Sequence, residues 1–565
     1  MRRGASGRVA AAVGALGAVA IAAGGVGSAG AATASVVAPA GSLGFTIYHP
    51  PASSVGAHTA TEPSIGANWL TGSIMYQADV TTYKVAFNDA TTPATATWSD
   101  VSSLLTNQTT LDPILFTDPV TGRTIVSQLD VACSLSEYTD DDGASWTPSS
   151  GCAQNGSEDH QSIGGGPFHA PLPSSLPSPL YPHAVYYCNQ DGGAIVAGGG
   201  FDAYCGLSLT GGLNYSPGKP IYTFQQCGGL HGHVRVAPDG TAVVPNQNCA
   251  PASDPTIVYD PLNGHIFPNQ AAVVSTDNGL TWTVDAIPGS HVSIRSDPAV
   301  AFDAANRMYF AYEDGTYAGN DITTPQIGGR AMIATSPDQG ATWTTPVDVG
   351  AAFGIQNVTF PEIIAGDTGR AAYAFLGSSS GGNPEDSTFK GFWYLYVAIT
   401  SDGGNTWSVQ NLTPGDPVER GCIYLAGNGT CPSVKRNLLD FMDITVDNHG
   451  RVLIGYADGC TATCVTQQNQ PCSDALCSTG PTASTDKYSS IARETCGRSL
   501  LVAYDKALAC RTTSSGSGST PTTTTGVTVT GVPNTSAPAA PVGAAAIAAL
   551  GLFAGVRRRR SRPRS

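Results

Sequence analysis

The sequence predicts an all-β fold made of a four-stranded unit repeated about seven times, and three observations carry that prediction. The first is an eight-residue pattern, S/T-x-D-x-G-x-T/S-W, at Thr139–Trp146, Ser275–Trp282, Ser336–Trp343 and Thr400–Trp407. The second is another recurring segment, an acidic or polar residue beside Pro or a small apolar residue, followed by strand, tight turn and strand. The third is composition: 67 Gly and 39 Pro with only 12% charged residues suit a large, turn-rich β domain rather than helices. Repeats at a fixed offset mark repeat architectures.

The eight-residue pattern explains itself as a turn. Asp two places before Gly caps local backbone N–H groups, and Gly takes a positive φ at little cost. The flanking hydroxyls bond the same turn, and Trp covers the apolar gap beneath it. Apolar strand segments such as Ala271–Val274, Ala331–Ala334 and Tyr394–Ile399 precede the copies, so each is the tip of a hairpin. A weaker copy at Ser208–Tyr215 has Thr210 for the Asp, keeps Gly212 and ends in Tyr215.

The second repeat supplies the inner strands. Its copies open near Glu62, Asp112, His183, His233, Asp297, Pro361-Glu362 and Met442-Asp443, between 50 and 81 residues apart. Each interval holds one four-stranded blade plus loops, so a β-propeller of seven blades is expected. In the clearest copies the first turn ends on a basic residue: Arg123, Arg307, Arg370 and Arg451.

The eight-residue pattern resembles the Asp box, or BNR repeat, of sialidases and related propellers. With Glu62–Gly66, Gly228–His233 and Asn437–Asp443, the chain looks like exported bacterial proteins labelled exo-α-sialidase or BNR-repeat glycosyl hydrolase, over roughly residues 60–460. That resemblance implies six blades, the alternative to seven. It implies that Asp141, Trp146, Asp277, Trp282, Asp338, Trp343, Asp402 and Trp407 are structural. It also implies an enzyme that grips a sugar carboxylate with three Arg, uses a Tyr nucleophile assisted by Glu, and has an Asp as acid. No Arg stands between Glu62 and Trp69, where the family's Arg-Ile-Pro motif would fall. Arg235, Arg295 and Arg420, with His233, are the substrate-binding candidates, and Tyr76, Tyr312, Tyr373 and Tyr456 are not distinguishable.

The catalytic candidates come from the strand starts. In a propeller these ring one mouth of the channel, so Glu62, Asp112, Asp297, Glu362 and Asp443 are expected to line it. They would serve as blade caps or as a pocket for sugar hydroxyls, a cation or acid–base chemistry. The polar stretch Gly156–Gln161 and the histidines His160, His169, His183, His231 and His233 form a further cluster that fits no metal motif. No cofactor is called for, and a bound cation stays open.

The ends read as addresses. Residues 1–34 carry Arg2, Arg3 and Arg8, an apolar run and an A-x-A choice, the pattern of a secretory signal peptide. The propeller is placed at 45–511, a Ser/Thr/Gly/Pro linker at 512–536, and an apolar segment with an Arg tail at 537–565. Val532–Ser536 resembles an LPxTG sorting signal, with Val for Leu and Ser for Gly. The expected location is therefore extracellular, tethered to membrane or cell wall. Setting aside the nine Arg of the two ends leaves 18 basic against 42 acidic residues, a net of −24. Such a body disfavours nucleic acid and points to a glycan or glycoprotein partner. Fourteen Cys in an exported chain predict disulfides, with Cys133–Cys152, Cys188–Cys205, Cys227–Cys249 and Cys422–Cys431 as near neighbours. Pairing among Cys460, Cys464, Cys472, Cys477, Cys496 and Cys510 is undecided, and a metal reading of Cys460, Cys464, Cys472 and Cys477 is the minor one. Two readings of function stand together: a sialidase-like glycoside hydrolase, and a non-catalytic propeller that binds glycan or protein.

Overall fold

The computed structural model describes residues 35–37, 43–130, 133–151, 158–191, 203–223, 225–250, 268–293, 295–320, 326–425, 429–466 and 483–510. Among them seven antiparallel sheets follow one another, each ordered inside to outside in chain order except the last. Their innermost strands are Ser64–Ala67, Pro113–Thr117, Glu158–Pro167, Arg235–Val236, Ala299–Phe302, Asn357–Ala365 and Asp443–Val446. The fold is a seven-bladed propeller, and the six-bladed alternative falls.

Two strand starts need correction. His183 opens the second strand of blade 3, not the first; the first is Glu158–Pro167. Its run Gly164–Gly166 conceals the strand pattern, because glycine carries no β signal. The structure needs those glycines for close approach. A Cβ on Gly164 would lie 2.1 Å from the Val234 carbonyl oxygen of the next blade. In blade 6 the first strand begins at Asn357, before Pro361, and its register shifts between Thr359 and Glu362.

Blade 7 closes the ring with both ends of the barrel sequence. Its outermost strand is Gly44–Tyr48, paired with Tyr488–Cys496, while its other strands come from residues 443–496. A short strand, Ser35–Val37, runs parallel to Thr406–Ser408 at the edge of blade 6.

The Asp boxes join third to fourth strands in blades 2, 4, 5 and 6 with one repeated bond set. In blade 4, Ser275 Oγ donates to Asp277 Oδ1 at 3.0 Å, and the Gly279 N–H donates to Ser275 Oγ at 2.9 Å. Thr281 donates to Asp277 from its N–H at 2.9 Å and its hydroxyl at 2.6 Å. Asp141, Asp338 and Asp402 make the same bonds. The Ser208 copy closes likewise, the Gly212 N–H donating to Ser208 Oγ and Thr210 Oγ1 standing 3.0 Å from Asn214 Oδ1. The residue ahead of each Gly is also left-handed: Asp142, Asn278, Gln339, Gly403 and Gly211 all have positive φ.

The aromatic that ends each box packs between its own blade and the preceding one. Trp146 clusters with Met75 and Leu115, Trp282 with Tyr186 and Val244, Trp343 with Val243 and Phe310, and Trp407 with Tyr309 and Phe375. Tyr215 does the same with Ile125 and Tyr187.

Cys188–Cys205, Cys227–Cys249 and Cys422–Cys431 are bridged as expected, and Cys460–Cys464 and Cys496–Cys510 are the pairs that spacing left open. The Cys460–Cys464 bridge removes the metal reading of those thiols. Cys152, Cys472 and Cys477 lie outside the described residues, as do the signal-peptide, linker and anchor segments at 1–34 and 512–565.

Candidate functional site

Antiparallel order sorts the connections onto two faces. Asp boxes and the short first turns share one face; strand starts and the connections between second and third strands share the other. The short turns are closed alike, as by Asp118 N–H to the Arg123 carbonyl and Asp447 N–H to the Arg451 carbonyl. Their basic residues pair locally, Arg123 with Asp140 and Arg370 with Asp505. His183, bonded to Asp118, and His169, bonded to Asn278, therefore belong to the Asp-box side and not to the mouth.

At the opposite mouth the strand starts meet. Two local distortions aim their side chains. His160 has φ +54 within a register shift between Asp159 and Ser162, and Phe360 has φ +56 within the shift that precedes Glu362. Bulges of this kind redirect a side chain that regular pleating would send elsewhere. Glu62 is also left-handed, at φ +49.

The more accessible part of the mouth is built around His160. Its Nε2 lies 2.5 Å from Asp297 Oδ2, and its backbone N–H donates to Asp112 Oδ2 at 3.2 Å. Burial works against a charged ring, but the Asp297 carboxylate and then Asp112 and Asp159 raise the imidazole to about 10. Burial raises the Asp297 carboxyl in turn, while the charge and hydrogen bond of His160 pull it back down. Asp112 is pushed up to about 7 by burial and the Asp159 charge, with His160 pulling it down. Asp159 and the deeper Glu62 are raised as well, both first by burial, and Asp112 and Asp440 add to the shift at Glu62. Asp440 is held by Arg436 at 2.6 Å, and both are about one-third exposed at the rim.

The other part is buried. His233 Nδ1 lies 3.6 Å from Glu362 Oε1, and Arg235 Nη2 lies 3.2 Å from Asp443 Oδ1 and 3.9 Å from Glu362 Oε2. Asp443 accepts from the Ile65 N–H at 3.0 Å and from its neighbour Ile444 at 2.8 Å, which ties blade 7 to blade 1. Burial and the facing Asp443 push Glu362 well up, and burial and Arg235 hold His233 well down. His231, also buried, is lowered to about 3 by burial and by His160, whose ring is 5.6 Å away. His233, Glu362 and Asp443 offer one atom each within 4.8 Å, the arrangement in this mouth suited to a metal ion.

The mouth thus gathers Glu62, Asp112, Asp297, Glu362, Asp443, His233 and Arg235 from the sequence candidates. It does not gather Arg295 or Arg420. Arg295 donates to the Gln326 carbonyl and Asn383 and pairs with Glu385. Arg420 donates to the Cys464 carbonyl and stacks over Phe392. Tyr76, Tyr312, Tyr373 and Tyr456 are buried on second strands, packed as core. Sequence reasoning did not assign Asp159 and His160 to the ring, although the polar run ahead of Gly164–Gly166 was the signal, and it missed Asp440 with Arg436. A separate cleft of about 370 Å³ at Ser380–Lys390 contains none of these ring residues.

No protein-family profile and no curated protein sequence matches the chain. Solved structures show a distant likeness. A PL25 ulvan lyase is 9% identical, with 73% of this chain and 93% of the lyase covered and a TM-score of 0.40. An α-L-arabinanase of Penicillium chrysogenum is 13% identical, with 82% and 99% covered and a TM-score of 0.37. A protein of unknown function from Dyadobacter fermentans is 12% identical, with 82% and 97% covered and a TM-score of 0.38. At this distance they carry no functional statement.

Proposed function

We propose that this protein is an exported, surface-tethered glycoside hydrolase that cleaves glycans at the acidic mouth of its propeller. One observation carries the reading. Carboxyl groups meet there in unlike environments: Asp112 is raised to about 7 by burial and the Asp159 charge, whereas burial raises Asp297 against the opposing charge and hydrogen bond of His160, 2.5 Å away. Groups pushed apart in this way divide acid and base work. Asp112 would protonate the glycosidic oxygen as the C–O bond breaks. Asp297 would take a proton from the water that adds to the anomeric carbon.

The sialic-acid form of this reading asks for three guanidinium groups at the mouth, and of the three candidates only Arg235 stands there. A mouth so rich in carboxyl groups favours a neutral sugar over an anionic one. Release of sugar from a panel of neutral and sialylated glycans tests this directly. Asp112→Asn is expected to lower turnover by roughly 10²–10⁴-fold, and absence of release from every glycan would end the hydrolase reading. A chain ending at Cys510 is expected to carry the activity into the medium; activity still bound to cells would refute tethering by the C-terminal segment.

A non-catalytic glycan- or protein-binding propeller is favoured by one feature: Glu62, Glu362 and Asp443 are only 1–5% exposed. In that case Asp112→Asn would leave binding on a glycan array unchanged and no glycan would be cleaved.

A further inference from the structure

We infer that His233, Glu362 and Asp443 form a binding site for a divalent cation of the zinc or manganese class, on the floor of the mouth. The three residues come from blades 4, 6 and 7, so no local sequence motif announces them. Their ligand atoms lie within 4.8 Å of one another. Ligand atoms about 2.1 Å from one tetrahedral zinc ion are about 3.4 Å apart, so the side chains need to close by roughly an ångström or a little more.

A second observation points to a ligand. His233 Nδ1 and Glu362 Oε2 are buried atoms without a hydrogen-bond partner, on residues 6% and 5% exposed. Buried polar atoms are ordinarily satisfied, so two unpartnered ones on side chains beside Asp443 point to a ligand. One imidazole nitrogen and two carboxylate oxygens suit zinc or manganese, whereas calcium and magnesium prefer all-oxygen shells. Three protein ligands also leave a fourth position for water.

Arg235 occupies the place of a counter-ion, bonded to Asp443 and 3.9 Å from Glu362. Its side chain is 22% exposed, so it has solvent to swing into when a cation displaces it. Arg235 and the cation therefore compete for the same carboxylates. This site is independent of the hydrolase reading, since binding is measured without any substrate.

The test is metal uptake by the chelator-stripped full chain, followed by calorimetry with Zn²⁺, Mn²⁺, Ca²⁺ and Mg²⁺ and by elemental analysis after gel filtration. One equivalent of Zn²⁺ or Mn²⁺ is expected. Glu362→Gln should weaken it at least about tenfold, and Arg235→Gln should tighten it about tenfold or more by removing a like charge. The Arg235→Gln gain separates loss of a ligand from loss of folding, because a misfolded variant would not bind more tightly. No stoichiometric uptake, a preference for Ca²⁺ or Mg²⁺, affinity unchanged in Glu362→Gln, or affinity not raised in Arg235→Gln would each overturn the assignment.

Discussion

Asp112 and Asp338 are both aspartates in turns or strand starts of one propeller, yet their surroundings shift them in opposite directions. Asp338 sits in a box on the solvent side, where donors from Thr342 and Ser336 outweigh burial and hold it below the ordinary range. Asp112 faces other carboxyls in a half-closed mouth and is raised to about 7. In the proposed role of general acid, activity should fall as pH rises above about 7, and that alkaline limb should disappear in whatever turnover remains in Asp112→Asn. A pH–rate profile of both proteins checks it. Asp338→Ala should leave the profile untouched and cost about 1 kcal/mol, the scale of a lost turn cap, read by chemical denaturation. The five acidic mouth residues were legible because each stands beside a strand start with recognisable apolar pattern. His160 was not, because glycines follow it and a bulge, invisible in sequence, turns it toward Asp297.

At the scale of the element, the Asp box is a device for the third-to-fourth-strand hairpin, and its absence from blade 7 follows from that. Blade 7 has no such hairpin, since its fourth strand arrives from residues 44–48. A box there would have nothing to connect. The aromatic at the end of each box seals its blade to the one before, so the pattern encodes blade order as well as a turn. The closing strand should be indispensable: it covers the edge of Tyr488–Cys496 along five residues, and an open strand edge invites association. A chain starting at Leu43 keeps the closing strand and is expected to stay soluble with a melting temperature close to that of the longer chain. One starting at His49 should melt lower and aggregate. Light scattering and thermal melting decide, and equal behaviour of the two would show that the ring closes without this strand.

For the whole molecule, buried acids dominate the response to pH. Asp112 and Glu313 are raised to about 7 and Glu494 to about 8, all chiefly by burial. An acid whose folded pKa lies above its unfolded value stabilises the fold below the unfolded value, and that contribution is lost as pH rises through the folded one. These three therefore favour the folded state fully below about 4 and lose their contribution up to pH 7–8. His160, raised to about 10, contributes below its unfolded value of about 6.5 and loses that contribution as pH rises through 10. The Asp boxes act in the reverse sense, losing their contribution as pH falls. A melting temperature that peaks at mildly acid pH and declines from pH 5 to 9 is expected. A rise over that interval would contradict it.

The sequence alone determined the blade. Turn chemistry and strand periodicity are local, so the Asp box and five of the seven inner-strand starts could be read from near neighbours, while the count of seven was reached with His183, which opens a second strand. The near-neighbour disulfides Cys188–Cys205, Cys227–Cys249 and Cys422–Cys431 were legible for the same reason. The composition of the mouth was decided only by tertiary structure. His160 and Asp297 are 137 positions apart, and Arg235 and Asp443 are 208 apart. Ring closure brings them together, and bulges choose which side chains turn inward. Arg295 and Arg420 look equivalent to Arg235 along the chain, but each finds its partners elsewhere, Arg295 at Gln326, Asn383 and Glu385 and Arg420 at Cys464. Which charged groups face one another, and hence which chemistry the mouth can perform, is a property of closure that no single blade contains.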